Sequence, residues 1–287
     1  MISVQDISAR FPKRLPDTHK GDYGHVLVVA GSAGYTGAAY LASQAAMVSG
    51  SGLVTLVAGR GIYPIMASKL TEVMVKPFLD TKDLSLGLLA EKEILNFADK
   101  CNAAVLGPGI SQNKETQHLV RNLVSKLSMP MVIDADGINA LKGSVDILHR
   151  TGKVPVLTPH PVELAGLVNK VVSEIQADRK EVAKAFANQY NTVLVLKGHA
   201  TVVASPDGAV YVNDTGNAGM ASGGIGDVLA GMIGAFIAQG MTQFDAAVLG
   251  VYMHGLAGDL AAREKGMVSL IATDLLNKLP EALKSLA

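Results

Sequence analysis

The chain of 287 residues is 49% hydrophobic and 17% charged, and its 25 basic side chains balance its 25 acidic ones. This length can bury a large core in one domain, which we expect over residues 1–287, while zero net charge argues against nucleic acids and acidic membranes as partners. One cysteine, no secretory leader pattern and no uninterrupted run of about 18 apolar residues argue against an internal disulfide and a membrane span, so we expect a cytoplasmic location.

Short apolar runs rich in valine recur along the first two thirds of the chain. Each is apolar throughout, which is typical of strands that are buried on both faces of a parallel sheet. Helical segments separate these runs, and those at 115–127 and 173–190 are amphipathic. Strand, helix and strand units of this length make right-handed parallel connections. The sequence therefore predicts an α/β fold, a mostly parallel doubly wound sheet with helices on both faces. The predicted strands span residues 25–31, 53–59, 103–107, 131–135, 154–158 and 192–198.

The pattern changes after the last of these strands. Residues 200–214 alternate around the turn sequence Pro206-Asp207-Gly208, which predicts a small antiparallel hairpin at the edge of the sheet. Beyond the hairpin we expect only helices, the last with Thr273 as its N-cap. These helices are predicted over residues 227–239, 243–263 and 273–286.

A glycine-rich loop joins the hairpin to the first of those helices. It places five glycines in the eleven residues 216–226 and is followed at once by Asp227. Glycines let a backbone approach a ligand closely, and a helix start favours negative charge, so the loop is typical of a phosphate site. A carboxylate there would repel phosphate unless it accepts a proton from an attacking hydroxyl group. The alternative is that Asp227 only caps the helix and the glycines only form a turn.

Ligands bind at the carboxyl ends of strands in open parallel sheets, and several predicted strands end in unusual segments. The glycines of residues 31–39 either let the backbone approach a ligand or serve tight helix packing. The rigid Pro108 turn of residues 107–111 forms either a pocket wall or a corner. Asp134 and Asp136 could hold Mg²⁺ or cap a helix. We favour Asp136 as the N-cap and expect Asp134 to face the site.

Two further strand ends carry polar side chains. His160 lies between two prolines, which fix the backbone and would aim the imidazole into the crevice as a ligand contact, although a lone histidine is usually structural. Glu163 falls in the following helical turn. Lys197 ends another strand, where a lysine suits a phosphate or ribose, although a solvated edge lysine is the ordinary alternative.

These motifs resemble the ADP- or ATP-dependent NAD(P)H-hydrate dehydratases of the ribokinase-like superfamily. The resemblance covers nearly the whole chain from about Lys20 onward. Because 287 residues leave no room for a fused epimerase domain, the resemblance is to the stand-alone bacterial form, which is typically ADP-dependent. The segments that carry it are KGDYGHVLVVAGSAGYTGAA, GPGIS, DADGINAL, TPHPVEL, KGHAT and NAGMASGGIGDVLAG.

The resemblance implies a repair reaction that restores NAD(P)H from its 6-hydroxy hydrate, NADHX or NADPHX. ADP would be the co-substrate, Mg²⁺ the cofactor, and AMP and phosphate the by-products, with no metal ligand assigned to the protein itself. Asp227 would be the catalytic residue. The residues implied to contact the hydrated substrate are Ala39, Gly109, His160 and Asp227. Those implied to contact the adenine nucleotide are Lys197, Gly198, His199, Ala200, Thr201, Asn217, Gly223, Gly224 and Gly226.

Two other functions remain open on the sequence alone. A kinase of the same superfamily, acting on a vitamin precursor or a sugar, would share the glycine loop and Asp227, although residues 158–164 and 107–111 fit the dehydratase pattern better. A non-catalytic nucleotide sensor would gain nothing from a carboxylate beside phosphate. The hydrophobic content also leaves apolar helix surface to cover, so we expect a homo-oligomer, with a tetramer favoured.

Overall fold

The computed structural model describes residues 3–286. Within that range nine strands form one sheet in the order β3-β2-β1-β4-β5-β6-β7-β8-β9. Neighbouring strands from β3 through β7 are parallel, whereas β8 is antiparallel to both β7 and β9. The strands are β1 (His25–Val29), β2 (Leu53–Gly59), β3 (Met74–Phe78), β4 (Ala103–Leu106), β5 (Met131–Ile133), β6 (Val156–Leu157), β7 (Val193–Leu196), β8 (Val202–Ala204) and β9 (Val210–Val212).

Helices cover both faces of this sheet, as expected for strands that are apolar on both sides. Along β1 the side chains alternate between two hydrophobic cores, with Val26 and Val28 in one and Leu27 and Val29 in the other. The first core lies under α1–α3 and α10–α12, and the second under α4–α9. The helices are α1 (Val4–Ser8), α2 (Thr36–Val48), α3 (Tyr63–Lys69), α4 (Glu91–Ala98), α5 (Lys114–Lys126), α6 (Asp136–Ala140), α7 (Pro161–Val168), α8 (Val172–Ala177), α9 (Arg179–Tyr190), α10 (Ile225–Ala238), α11 (Gln243–Lys265) and α12 (Ala272–Leu283).

The predicted fold class is confirmed, including the edge hairpin, but several details of the prediction were wrong. The edge strand β3 was missed because it is largely exposed and contains Pro77, so its sequence lacks the apolar run of a buried strand. The segment 173–190 is two helices, interrupted at Asp178, whose side chain caps α9 by accepting from the backbone of Glu181 at 3.1 Å. Thr273 is not an N-cap, since α12 starts at Ala272 and its N-cap is Ile271.

Helix α10 is the most buried helix near the predicted site. Every residue from Val228 to Ala238 is buried, in agreement with a sequence that is apolar all round. It packs closely on α2, and a side chain at Gly231 would overlap the carbonyl oxygen of Ala42. No helix among residues 3–286 has the length and apolar character needed to cross a membrane.

We predict that Gly231→Ala destabilises the protein by about 1–3 kcal/mol, because the added methyl group must push the backbones of α2 and α10 apart. The matched control is Gly37→Ala in α2, which has no neighbour within 4 Å of the added carbon. That control should gain about 0.5–1 kcal/mol from helix propensity. Urea unfolding of both variants measures the difference, and equal effects would contradict the close contact.

Candidate active site

A cavity of about 800 Å³ opens at the carboxyl end of β7, between the segments 197–201 and 213–222 and the first turns of α10. Parts of α11 close its far side, including the buried His254, whose Nε2 lies 2.9 Å from the carbonyl oxygen of Ile225. The cavity brings together most of the residues expected to bind a nucleotide. Those in its wall are Lys197, Gly198, His199, Ala200, Thr201, Asn217 and Gly226.

The glycine-rich loop turns directly into α10. Gly224 precedes the helix with a φ of 89°, a left-handed conformation that favours glycine, and neither it nor Gly223 lines the cavity. Asp227 is the third residue of the helix rather than its cap, and its carboxylate has no hydrogen-bond partner among the described residues. The capping alternative for Asp227 therefore finds no contact to support it.

Asp259 of α11 holds the start of the same loop, and no sequence motif pointed to this residue. Its carboxylate accepts from the Gly216 backbone at 3.0 Å and from the Asn217 side chain at 2.8 Å. The amide oxygen of Asn217 in turn accepts from the Gly219 backbone at 3.0 Å. This chain of hydrogen bonds orients Asn217 at the cavity wall.

Three neighbouring strand ends meet in a buried cluster of charges. Asp134 follows β5 and is 1% exposed, Thr158 follows β6, and Lys197 follows β7. One oxygen of Asp134 accepts from the Thr158 hydroxyl at 2.7 Å and from Lys197 Nζ at 2.8 Å. A Glu163 oxygen lies 4.0 Å from the same ammonium group. Lys197 is thus a largely buried ion-pair partner of Asp134, whereas the alternative was a solvated lysine at the sheet edge.

Asp136 does not have the N-cap role that we expected. It is the first residue of α6, and the N-cap position belongs to Ala135. Its carboxylate instead accepts from the Ser111 backbone at 3.1 Å and from the side chains of Gln112 and Asn139 at 3.2 and 3.1 Å. Asp136 therefore ties the turn after β4 to α6, a contact between residues too far apart in sequence to be read from spacing.

The charges of this cluster affect the pKa of Asp227. The pKa of Asp227 is raised to about 7, with burial as the largest cause; the negative charge of Asp134 acts in the same direction, and Lys197 opposes both. Burial alone would lower the pKa of Lys197, but the charges of Asp134 and Glu163 outweigh it, so that this pKa is raised and the ammonium form is stabilised. Asp227 is thus a carboxylate that can exchange a proton near neutral pH.

His160 is the N-cap of α7 at the rim of the cavity. Its backbone donates to Glu163 at 2.8 Å, and its Nδ1 accepts from the Glu163 backbone at 3.2 Å. Burial and the charge of Lys197 lower its pKa, so the ring is neutral at pH 7. The imidazole is half-exposed at the cavity wall, and its Nε2 lies 3.5 Å from a carboxylate oxygen of Glu163.

Ala39 in α2 and Gly109 in the turn after β4 lie outside the wall of the large cavity. Ala39 is fully buried on α2, where its methyl group packs against Gly31. Gly109 is also buried, has a φ of 58°, and accepts through its carbonyl oxygen from the Ser32 hydroxyl at 2.8 Å. Their role in substrate contact stays a prediction.

The chain is similar in sequence to known proteins. The family model for NAD(P)H-hydrate dehydratase matches residues 26–281. A bifunctional NAD(P)H-hydrate repair enzyme from Moorella thermoacetica is 44% identical over 278 residues, which make up 97% of this chain and 52% of that protein. An ADP-dependent (S)-NAD(P)H-hydrate dehydratase from Neisseria meningitidis is 38% identical over 263 residues, covering 90% of this chain and 84% of that protein. The chain spans about half the length of the first curated relatives it matches.

Among solved structures, the ADP/ATP-dependent NAD(P)H-hydrate dehydratase from Bacillus subtilis, co-crystallised with ATP and Mg²⁺, matches with a TM-score of 0.85 and 32% identity. The match covers 99% of this chain and 98% of that one. This and related structures confirm the expected ribokinase-like fold.

We predict that Asp227→Asn stabilises the protein and that the gain depends on pH. The pKa of this carboxyl is raised to about 7 in the folded protein, above its value in the unfolded chain. The folded state therefore holds the proton longer, and the free energy of unfolding falls as pH rises through this interval. Asparagine does not titrate, so the advantage of the variant should grow from pH 5 to pH 7, to the order of 3 kcal/mol, and then level off.

Urea unfolding at several pH values between 5 and 8 measures this difference. Asp99→Asn serves as the control, because Asp99 is exposed and its variant should follow the wild-type curve. A pH-independent difference between Asp227→Asn and the wild type would contradict the raised pKa.

Proposed function

Because the chain belongs to the NAD(P)H-hydrate dehydratase family, we propose that it restores NAD(P)H from the 6-hydroxy hydrate with ADP as phosphoryl donor. The observation that carries this proposal is the position of Asp227. It lies in the first turn of α10, directly after the glycine loop, and the wall of the neighbouring cavity contains the segment 197–201. A proton acceptor thus lies beside backbone amides suited to phosphate. The names of the Neisseria and Bacillus relatives support the same reaction.

The proposed reaction begins with proton transfer. Asp227 accepts the proton of the C6 hydroxyl group while the hydroxyl oxygen attacks the terminal phosphorus of ADP, and AMP leaves. The amides at the start of α10 stabilise the negative charge that spreads over the transferred phosphoryl group. Phosphate then departs from C6 with the C–O bonding electrons, driven by the lone pair of the ring nitrogen. Loss of a proton from C5 restores the double bond, so the balance is hydrate plus ADP to NAD(P)H, AMP and phosphate.

The residues present fit a Mg²⁺ ion that is carried by the nucleotide rather than by the protein. Among residues 3–286 no three His, Cys, Asp or Glu side chains converge to hold a metal ion. The carboxylates of Asp134 and Glu163 already flank the ammonium group of Lys197. When bound to the nucleotide oxygens, Mg²⁺ would supply neutralisation of the phosphate charge.

We expect ADP rather than ATP as the better donor, both NADHX and NADPHX as substrates, and one ribokinase-like domain over residues 1–287. A cytoplasmic location and a homo-oligomer, with a tetramer favoured, stay predictions.

Hydrated NADH incubated with the protein, Mg²⁺ and ADP should regain the near-ultraviolet absorbance of intact NADH. Inorganic phosphate should appear in equal amount, because each turnover releases one phosphate. A parallel reaction with ATP measures the nucleotide preference. A kinase would instead accumulate a phosphorylated hydrate without recovery of NADH, and that result would overturn the proposal.

Asp227→Asn should lower turnover by about 10²–10⁴-fold, because the general base is lost. The ADP dissociation constant should stay within a few-fold of the wild-type value, since the nucleotide segment is intact. Steady-state kinetics and calorimetry measure the two quantities, with Asp99→Asn as the control. Near-normal turnover of Asp227→Asn would remove this residue from the role.

A further inference from the structure

Arg179, the first residue of α9, lies against the segment 197–201 without lining the cavity. Its Nη1 donates to the carbonyl oxygen of His199 at 2.9 Å. Its Nη2 donates to the carbonyl oxygens of Leu196 and Lys197 at 2.8 and 3.2 Å. One guanidinium group therefore binds three carbonyl groups around the turn that follows β7.

That turn has an unusual backbone, which needs support from its surroundings. Ala200 has a φ of 52°, in the left-handed region that side chains disfavour by roughly 1–2 kcal/mol. Gly198 has a φ of 142°, and a carbon added there would lie 2.7 Å from Arg179 Nη1. The guanidinium group thus occupies the space that the missing side chain of Gly198 leaves. Strained residues of this kind persist only where neighbouring groups hold them.

Within residues 3–286 no carboxylate forms an ion pair with Arg179. Among the residues that the structure describes, its side-chain hydrogen bonds go to backbone oxygens. Its Nε is buried without a protein partner. An arginine keeps its proton even when burial lowers its pKa. A fixed positive charge therefore stands directly behind the wall of the cavity, where it favours an anionic ligand.

We infer that Arg179 is a positioning residue for the adenine nucleotide. It holds residues 197–201 in the conformation that contacts the nucleotide, and its charge adds to the attraction for the phosphates. It touches neither the substrate nor the reacting atoms, so its loss should weaken nucleotide binding and spare the chemical step. This inference rests on the proposed function, because it assumes that the nucleotide binds along this segment.

Titration calorimetry with ADP and Mg²⁺, together with steady-state kinetics, tests this role in three variants. Arg179→Gln removes both the fork of donors and the charge, and should raise the ADP dissociation constant and KM by about 30-fold. Arg179→Lys keeps the charge without the fork, and should raise them by about 5–10-fold. The turnover number at saturating ADP should stay within about threefold of the wild type in both. Lys180→Gln alters an exposed cation on the next residue and should leave both quantities unchanged.

ADP binding separates this role from a purely structural one, and melting temperatures report any loss of stability in the same variants. If both Arg179 variants bind ADP as the wild type does, with or without a lower melting temperature, the inference is wrong. A fall in turnover at saturating ADP without weaker binding would also overturn it. If Arg179→Gln does not fold, the Arg179→Lys result decides. A wild-type protein that binds neither ADP nor ATP would instead overturn the proposed function itself.

Discussion

The close approach of α10 to its neighbours is the constraint on which the rest of the site depends. Glycines permit three separate contacts along this helix. Gly231 admits the backbone of α2, and Gly234 leaves room for Val105 of β4, whose methyl carbon would lie 2.5 Å from an added carbon. A carbon added at Gly226 would lie 3.2 Å from Lys197 Nζ. A bulkier helix would stand farther from the sheet, and its N-terminus would no longer point over the ends of β5 and β7.

This geometry explains why a carboxylate in the first turn of α10 can serve as a base. The helix start and Lys197 favour the charged form, whereas burial and the acidic side chains of the cluster favour the protonated form. The opposing effects leave a pKa of about 7. A carboxylate with an ordinary pKa would be a much weaker proton acceptor at neutral pH. The acidic neighbour Asp134 therefore contributes to the basicity of Asp227 as well as to the position of Lys197.

How far the sequence predicts this arrangement depends on the range of the contacts. Apolar runs located the buried strands, because burial on both faces leaves a local signal, while the exposed strand β3 left none. The motifs assigned Lys197 and Asn217 to one site, and both line the same cavity. Spacing could not show that Asp136 binds the Ser111 backbone or that Lys197 pairs with Asp134, since these partners are 25 and 63 residues apart. The start of α12 was also misplaced. The backbone N–H of Ile271 donates to the Asp274 carboxylate, and such a bond can start a helix without a polar N-cap residue.

The two segments that line the cavity have little regular structure, and each is held by a charged side chain from a neighbouring helix. Arg179 of α9 binds carbonyl groups of one segment, and Asp259 of α11 binds amide groups of the other. Each charged group satisfies backbone atoms that a short irregular turn cannot pair internally. Ordering these segments before the ligand arrives lowers the entropy that binding must overcome. The long helices thereby give irregular backbone the rigidity that the proposed nucleotide site requires.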